Sequence, residues 1–235
     1  MKRENFVAFM PYYLLVVILF VAIAAGASRT VTTAVQRTAV DREHIIIIDA
    51  GHGGVDGGAT SCTGVLESQL NLQIALKLND VMHLLGYKTV MIRTTDISVY
   101  TQGETIAAKK VSDLKERVRI VNDTENGLLI SLHQNTFSDS RYGGAQVFYP
   151  PTEGSQKLAQ YLQTNLMQTI NPGSNRKPKK ADGVYLMEHI ERTGVLVECG
   201  FLSNPEEEAK LREVSYQKKL CCVIAATVAA FLSNT

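Results

Sequence analysis

The chain of 235 residues contains no tryptophan, only four cysteines and only six prolines. Cys62, Cys199, Cys221 and Cys222 are too irregularly spaced for a disulfide framework and form no CxxC metal knuckle. Cys199, Cys221 and Cys222 stand in apolar strand and helix patterns and read as small core side chains, whereas Cys62 reads as a loop residue. Charge of either sign is also in short supply, with 20% charged residues and a formal net charge of +1. Such a balance excludes a nucleic-acid binder that works through bulk electrostatics, and it equally excludes a disordered chain. No internal repeat is present, and the length suffices for one α/β domain and little else.

What is present begins with Met1-Lys2-Arg3 and an apolar run from Phe6 to Ala27, interrupted only by Pro11, two tyrosines and Gly26. At about 22 residues the run exceeds the roughly 7–15 of a signal-peptide core and is long enough for a bilayer interior of ~30 Å. Residues 1–28 are therefore expected to be an export segment, either a retained membrane anchor or a signal peptide cleaved after Ala25-Gly26-Ala27. Lys2 and Arg3 on the short side orient the N-terminus to the cytoplasm and everything from Ser28 outward. Residues 29–43 lack apolar periodicity and suit a linker, so the folded domain is expected over 44–235.

Within that domain strands and helices alternate. Ile45–Ile48 reads as a strand buried on both faces, followed at once by the glycine-rich run Asp49–Gly58. From Glu67, the residues Leu70, Ile74, Leu78, Val81 and Leu85 mark one helical face that stops at Gly86. A strand over Tyr87–Ile92, a helix over Ser112–Asn122 with Ser112 as N-cap, and a buried strand over Leu128–Asn135 follow. Gly144–Tyr149 predicts a strand, Ser155–Ile170 a helix, Val184–Met187 and Val195–Val197 the last strands, and Pro205–Phe231 a closing helical region. The basic stretch Arg176–Lys180 reads as a loop, solvated or in contact with an anionic glycan or a partner. This alternation predicts an α/β fold, a mostly parallel sheet of about six strands with helices on both faces, and ligands bound at the C-terminal edge of the strands.

Histidines stand at two such strand ends, His52 and His133, and Glu67 lies on an inward helical stripe where an unpartnered carboxylate is costly. Two imidazoles and one carboxylate with an open fourth position make a catalytic zinc shell, which makes these three the candidate metal ligands. Glu198 closes the apolar strand Gly194–Val197 at the same edge and is the candidate base for a metal-activated water. Each has a plainer reading: a hydrogen-bonded structural histidine, Glu67 paired with a helix N-terminus or an arginine, Glu198 paired with Arg117 or Arg93. Convergence of all four on one edge favours the site. Asp49 is expected to orient the glycine turn or a ligand histidine. Glycine loops after strands also cradle phosphates, but Gly51-x-Gly53-x-x-x-Gly57 is one residue too long for the dinucleotide fingerprint and no Lys-Ser/Thr follows.

The stretches IIIIDAGHGG, GVLESQLNL, VMIRTTD, LLISLHQN, GGAQVFYPP and GVLVECGFLSNPEEEAKL resemble the zinc-dependent N-acetylmuramoyl-L-alanine amidases of the Amidase 3 family, over His44 to Phe231. The resemblance implies an α/β fold, Zn2+ bound by His52, Glu67 and His133, and Glu198 as the catalytic carboxylate. Ala50 departs from the family where proline is usual, and Cys199 where a small or hydroxylated residue is usual. Length, hydrophobic N-terminus and the lack of an appended wall-binding repeat resemble the members that act on spore cortex peptidoglycan, where stem-peptide removal precedes formation of muramic-δ-lactam before germination. Some relatives carry an inserted helix that plugs the zinc site, but only about ten residues separate Asn135 from Ala145 here. Control is therefore expected from outside, through a partner protein or metal occupancy.

Overall fold

Four consecutive isoleucines can be buried together only in a strand covered on both faces, and Ile46, Ile47 and Ile48 are fully buried. The computed structural model describes residues 43–234, so the expected export segment and almost all of the linker lie outside the described residues. The elements in chain order are β1 (Ile45–Ala50), α1 (Glu67–Leu84), β2 (Lys88–Met91), α2 (Ile106–Asp123), β3 (Gly127–Asn135) and β4 (Gln146–Tyr149). They continue with α3 (Ser155–Thr169), β5 (Lys179–Lys180), α4 (Tyr185–His189), β6 (Thr193–Phe201), α5 (Pro205–Arg212) and α6 (Val214–Leu232).

The six strands form one sheet in the order β2-β1-β3-β6-β4-β5. Every pairing is parallel except β4 with β6, so the expected mostly parallel α/β sheet is what forms. Side chains alternate between faces along a strand. Ile47, Leu129 and Leu196 accordingly share one cluster with Val121 of α2 and with Leu186 and Met187 of α4. Ile46, Ile48, Leu128 and Ile130 point the other way, toward the layer in which α6 packs against both α1 and α3. α6 is long and apolar enough to cross a membrane by length and composition, yet Leu220, Cys221, Ile224, Val228 and Phe231 are buried, as in a core helix.

Several local expectations are corrected. The helix predicted from Ser112 begins at Ile106, capped by Thr105, whose Oγ1 accepts from the Ala108 amide at 3.1 Å. The first turns carry alanines and lysines rather than an apolar stripe, so periodicity could not reveal them. Ser112 uses its hydroxyl instead to accept from the Thr101 and Gln102 amides, tying down the preceding loop. Val184–Met187 is not a strand: the five-residue helix α4 occupies this stretch, with the Tyr185 and His189 rings stacked at 3.9 Å one turn apart. Short apolar runs do not distinguish strand from helix. Lys179 and Lys180 form β5 beside β4, and the closing helical region breaks at Glu213 into α5 and α6. Along α1 the buried stripe passes from Leu78 to Met82, leaving Leu85 exposed, and Cys222 is exposed rather than a core residue.

Candidate active site

Strand register brings the candidate residues together. β1 and β3 run parallel with Asp49 opposite Ser131 and Ala50 opposite Leu132, so the turn after Ala50 emerges level with His133. β3 and β6 place His133 opposite Glu198. Glu67 arrives from the other direction as the first residue of α1, 4% exposed, with its carboxylate between the two imidazoles. His52 Nε2 lies 3.3 Å from Glu67 Oε2, and His133 Nδ1 lies 3.0 Å from Glu67 Oε1. One donor atom from each of the three residues falls within 4.8 Å of the others. Ligands around a tetrahedral ion with bonds of ~2.1 Å stand ~3.4 Å apart, so these spacings fit a zinc-sized cation with small shifts of the side chains.

The backbone makes room for this approach. A Cβ on Gly51 would lie 2.2 Å from the His133 ring, and one on Gly58 would lie 2.6 Å from Glu67 Oε2. His52 itself adopts φ 61°, an uncommon conformation for a side-chain-bearing residue. Two buried arginines stabilise it. Arg117 donates to the carbonyl oxygens of Ala50 and His52 and pairs with Asp49 and Asp113. Arg93 donates to the carbonyls of Ala50, Gly51 and Ser68. Asp49, which also accepts from Ser131 Oγ at 2.7 Å, thus orients the glycine turn through Arg117. Neither arginine serves Glu198, which removes the salt-bridge reading of that residue. Thr63 and Ser61 both donate to the buried Glu208 of α5, fixing the loop that leads into Glu67.

Electrostatics differ sharply among the site's acids. Burial opposes ionisation of Glu67, but hydrogen bonds from His133 and His52 hold its carboxyl far below the usual carboxylate range. Burial likewise disfavours charge on His52, and the bonds to Glu67 and to Asp56 outweigh it and raise its pKa to about 9. Asp56 is the residue sequence reasoning passed over. Its Oδ2 accepts from His52 Nδ1 at 2.9 Å, which leaves Nε2 facing the donor cluster, and Lys110 pairs with its other oxygen at 2.8 Å. The signal was its place four residues after His52 in the glycine loop. Asn71, one turn into α1, was also missed; its Nδ2 donates to Glu67 Oε1 and to the Gly51 carbonyl. Glu198 behaves in the opposite way: burial pushes its carboxyl up to about 7, with Glu67 adding to the rise and the two histidines opposing it. Its Oε2 is buried with no hydrogen-bond partner.

His52, His133 and Glu198 line a cavity of about 290 Å³ whose walls include Val55, Lys109 and Leu186. A three-donor cluster beside a carboxyl group able to exchange a proton near neutrality, at the C-terminal edge of a parallel sheet, defines an α/β enzyme of hydrolytic design. The chain belongs to the N-acetylmuramoyl-L-alanine amidase family: the sequence pattern of Amidase_3 matches residues 46–230. The activity of that family is hydrolysis of the amide between N-acetylmuramic acid and L-alanine. The chain is 36% identical to the germination-specific N-acetylmuramoyl-L-alanine amidase of Bacillus subtilis over 182 residues, covering 77% of this chain and 76% of that protein. Its fold is similar to that of the CwlD amidase of Clostridioides difficile, solved in complex with the GerS lipoprotein, with a TM-score of 0.78, 35% identity, and coverage of 82% of this chain and 100% of that one. An N-acetylmuramoyl-L-alanine amidase from Clostridium difficile 630 is similar with a TM-score of 0.71 and 29% identity, over 82% and 98% of the two chains.

Proposed function

We propose that this chain is a zinc-dependent amidase that removes stem peptides from the peptidoglycan of the spore cortex, with His52, Glu67 and His133 as the metal ligands and Glu198 as the proton-transferring residue. The observation that carries this reading is the His52–Glu67–His133 donor cluster with the partnerless carboxyl oxygen of Glu198 beside it. Imidazole and carboxylate donors in an open site favour zinc over harder ions. When bound, the metal would polarise the lactyl carbonyl and acidify water. Glu198, with a pKa near 7, accepts a proton at its carboxylate during attack and returns it to the nitrogen of the departing L-alanine. Asp56 holds His52 by Nδ1, and Asn71 and the amides of Ala59 and Gln134 hold Glu67, so the cluster is oriented in advance.

Similarity to a germination-specific amidase over most of both chains supports the cortex as the wall in question. In this reading the N-terminal segment exports the domain to the outer face of a membrane and either stays as an anchor or is cleaved. Only residues 136–145 join β3 to β4, so this connection has no room for a built-in plug. Control then falls to an external protein, and the amidase crystallised with a lipoprotein offers a precedent.

The test is mass spectrometry of muropeptides after incubating the zinc-loaded full chain with cortex peptidoglycan, beside a Glu198→Ala control. Free peptides beginning with L-alanine, absent from the control, are expected. Fragments cut within the stem would replace the amidase by a peptidase, and no products even with a lipoprotein partner supplied would reduce the domain to a wall-binding module.

A further inference from the structure

Apart from Glu198 itself, whose Oε2 has no partner, the charged groups that line its cavity satisfy one another with one exception. Asp49 and Asp113 both pair with Arg117, and Asp56 pairs with Lys110 and His52. Lys109, half-buried in the first turn of α2, has no acidic partner among the described residues. Its ammonium instead stands 5.0 Å from the centre of the Tyr100 ring, a contact that fixes the position of the cation without neutralising it. A lysine of this kind lowers its energy by meeting an anion that arrives with the ligand.

Building on the amidase reading, we infer that Lys109 selects the substrate by binding a free carboxylate on the residue that follows L-alanine in the stem peptide. The dimensions limit which residue that is. A compact cavity of 290 Å³ is about 8 Å across, and extended peptide advances ~3.5 Å per residue, so the cavity that both Glu198 and Lys109 line has room for about two residues. The first is the L-alanine whose nitrogen leaves. The second is the residue whose carboxylate reaches the ammonium, and Val55, Leu114, Val184 and Leu186 supply an apolar wall for the backbone and methyl group between them. A stem amidated at this carboxyl group presents a neutral amide to Lys109 and is the poorer substrate.

The experiment compares kcat/KM of the zinc-loaded full chain for N-acetylmuramoyl-L-alanyl-γ-D-glutamyl-L-lysine and for the same tripeptide amidated at the glutamate α-carboxyl group, so that the γ-carboxyl is an amide in both, in the wild type and in Lys109→Gln and Lys109→Arg. The wild type should prefer the acid by about tenfold. Lys109→Gln should abolish the preference by lowering the rate on the acid alone, mainly through KM, and Lys109→Arg should retain it. A preference that survives Lys109→Gln, or an equal loss on both substrates, overturns the assignment. If the wild type cleaves neither compound even with a lipoprotein partner supplied, the amidase reading is what fails. Calorimetric titration with the tripeptides L-alanyl-γ-D-glutamyl-L-lysine and its glutamate α-amide then decides the role of Lys109: tighter binding of the acid that Lys109→Gln removes upholds it, and equal binding overturns it.

Discussion

The ends of β1 and β6 carry two acids with opposite fates. Asp49 is buried at the end of β1 with a guanidinium and a hydroxyl pointed at it, and its carboxyl is held below the usual range despite the cost of burial. Glu198 stands near the end of β6, a few residues away across β3, with an oxygen that nothing satisfies and a carboxyl pushed up to about 7. The difference lies in where the arginines are. Both Arg93 and Arg117 serve the β1 end, where they hold carbonyls in place, and β6 receives neither. One end of the sheet edge is therefore built for rigidity, and the other keeps a group whose protonation can change during a reaction.

The largest expected effect breaks the rigid side. Arg117→Ala leaves Asp49 buried without its cation and frees the carbonyls of Ala50 and His52, which should cost about 3–5 kcal/mol of stability. Chemical denaturation of the full chain measures it, and a loss under 1 kcal/mol would mean that the clamp does not hold the His52 loop. Next comes Asp56→Asn, which weakens the hold on His52 Nδ1 while leaving the three donor residues intact. Zinc affinity should fall by about 10–100-fold, read by competition with a chelator of known strength. Unchanged affinity would show that the glycine turn alone orients His52.

Much of this contrast was legible in the sequence, for reasons that are local. Largely apolar runs such as Ile45–Ile48 and Leu128–Leu132 announce strands buried on both faces, and the histidines that follow them, His52 four residues after Ile48 and His133 directly after Leu132, surface at the ligand-binding edge. The arginine clamp was not legible, because Arg117 is separated from His52 by 65 residues and its partners are carbonyl oxygens, which carry no side-chain signature. The same limit hid the start of α2: its first turns, exposed apart from Lys109, bury no stripe, and this is the segment that brings Lys109 and Lys110 to the cavity. α4 was misread because Leu186 and Met187 bury equally well in a strand or a helical turn.

The smallest expected effect sharpens the comparison on the side of Glu198, and its sign follows from linkage. The native carboxyl titrates near 7 and the unfolded one near 4.5, so between these values the folded protein holds a proton that the unfolded chain has lost. Stability contributed at this site is therefore complete below the unfolded value and declines as pH rises toward 7, because the folded protein must then bury a bare carboxylate. Glutamine in its place cannot ionise and escapes this decline. Relative to the wild type, chelator-treated Glu198→Gln should gain about 1–2 kcal/mol between pH 5 and pH 8, less than the full linkage value because the site opens on a cavity that water can enter. Asp49→Asn should differ in window and sign, losing stability relative to the wild type as pH rises through the acid range up to the unfolded value of 3.8, where Asp49 becomes the anion that Arg117 requires, and staying level between pH 5 and pH 8. Parallel pH profiles for the two variants would erase the distinction between the ends of β1 and β6; diverging profiles would establish that one acid supports the fold at its native charge while the other is held there against it.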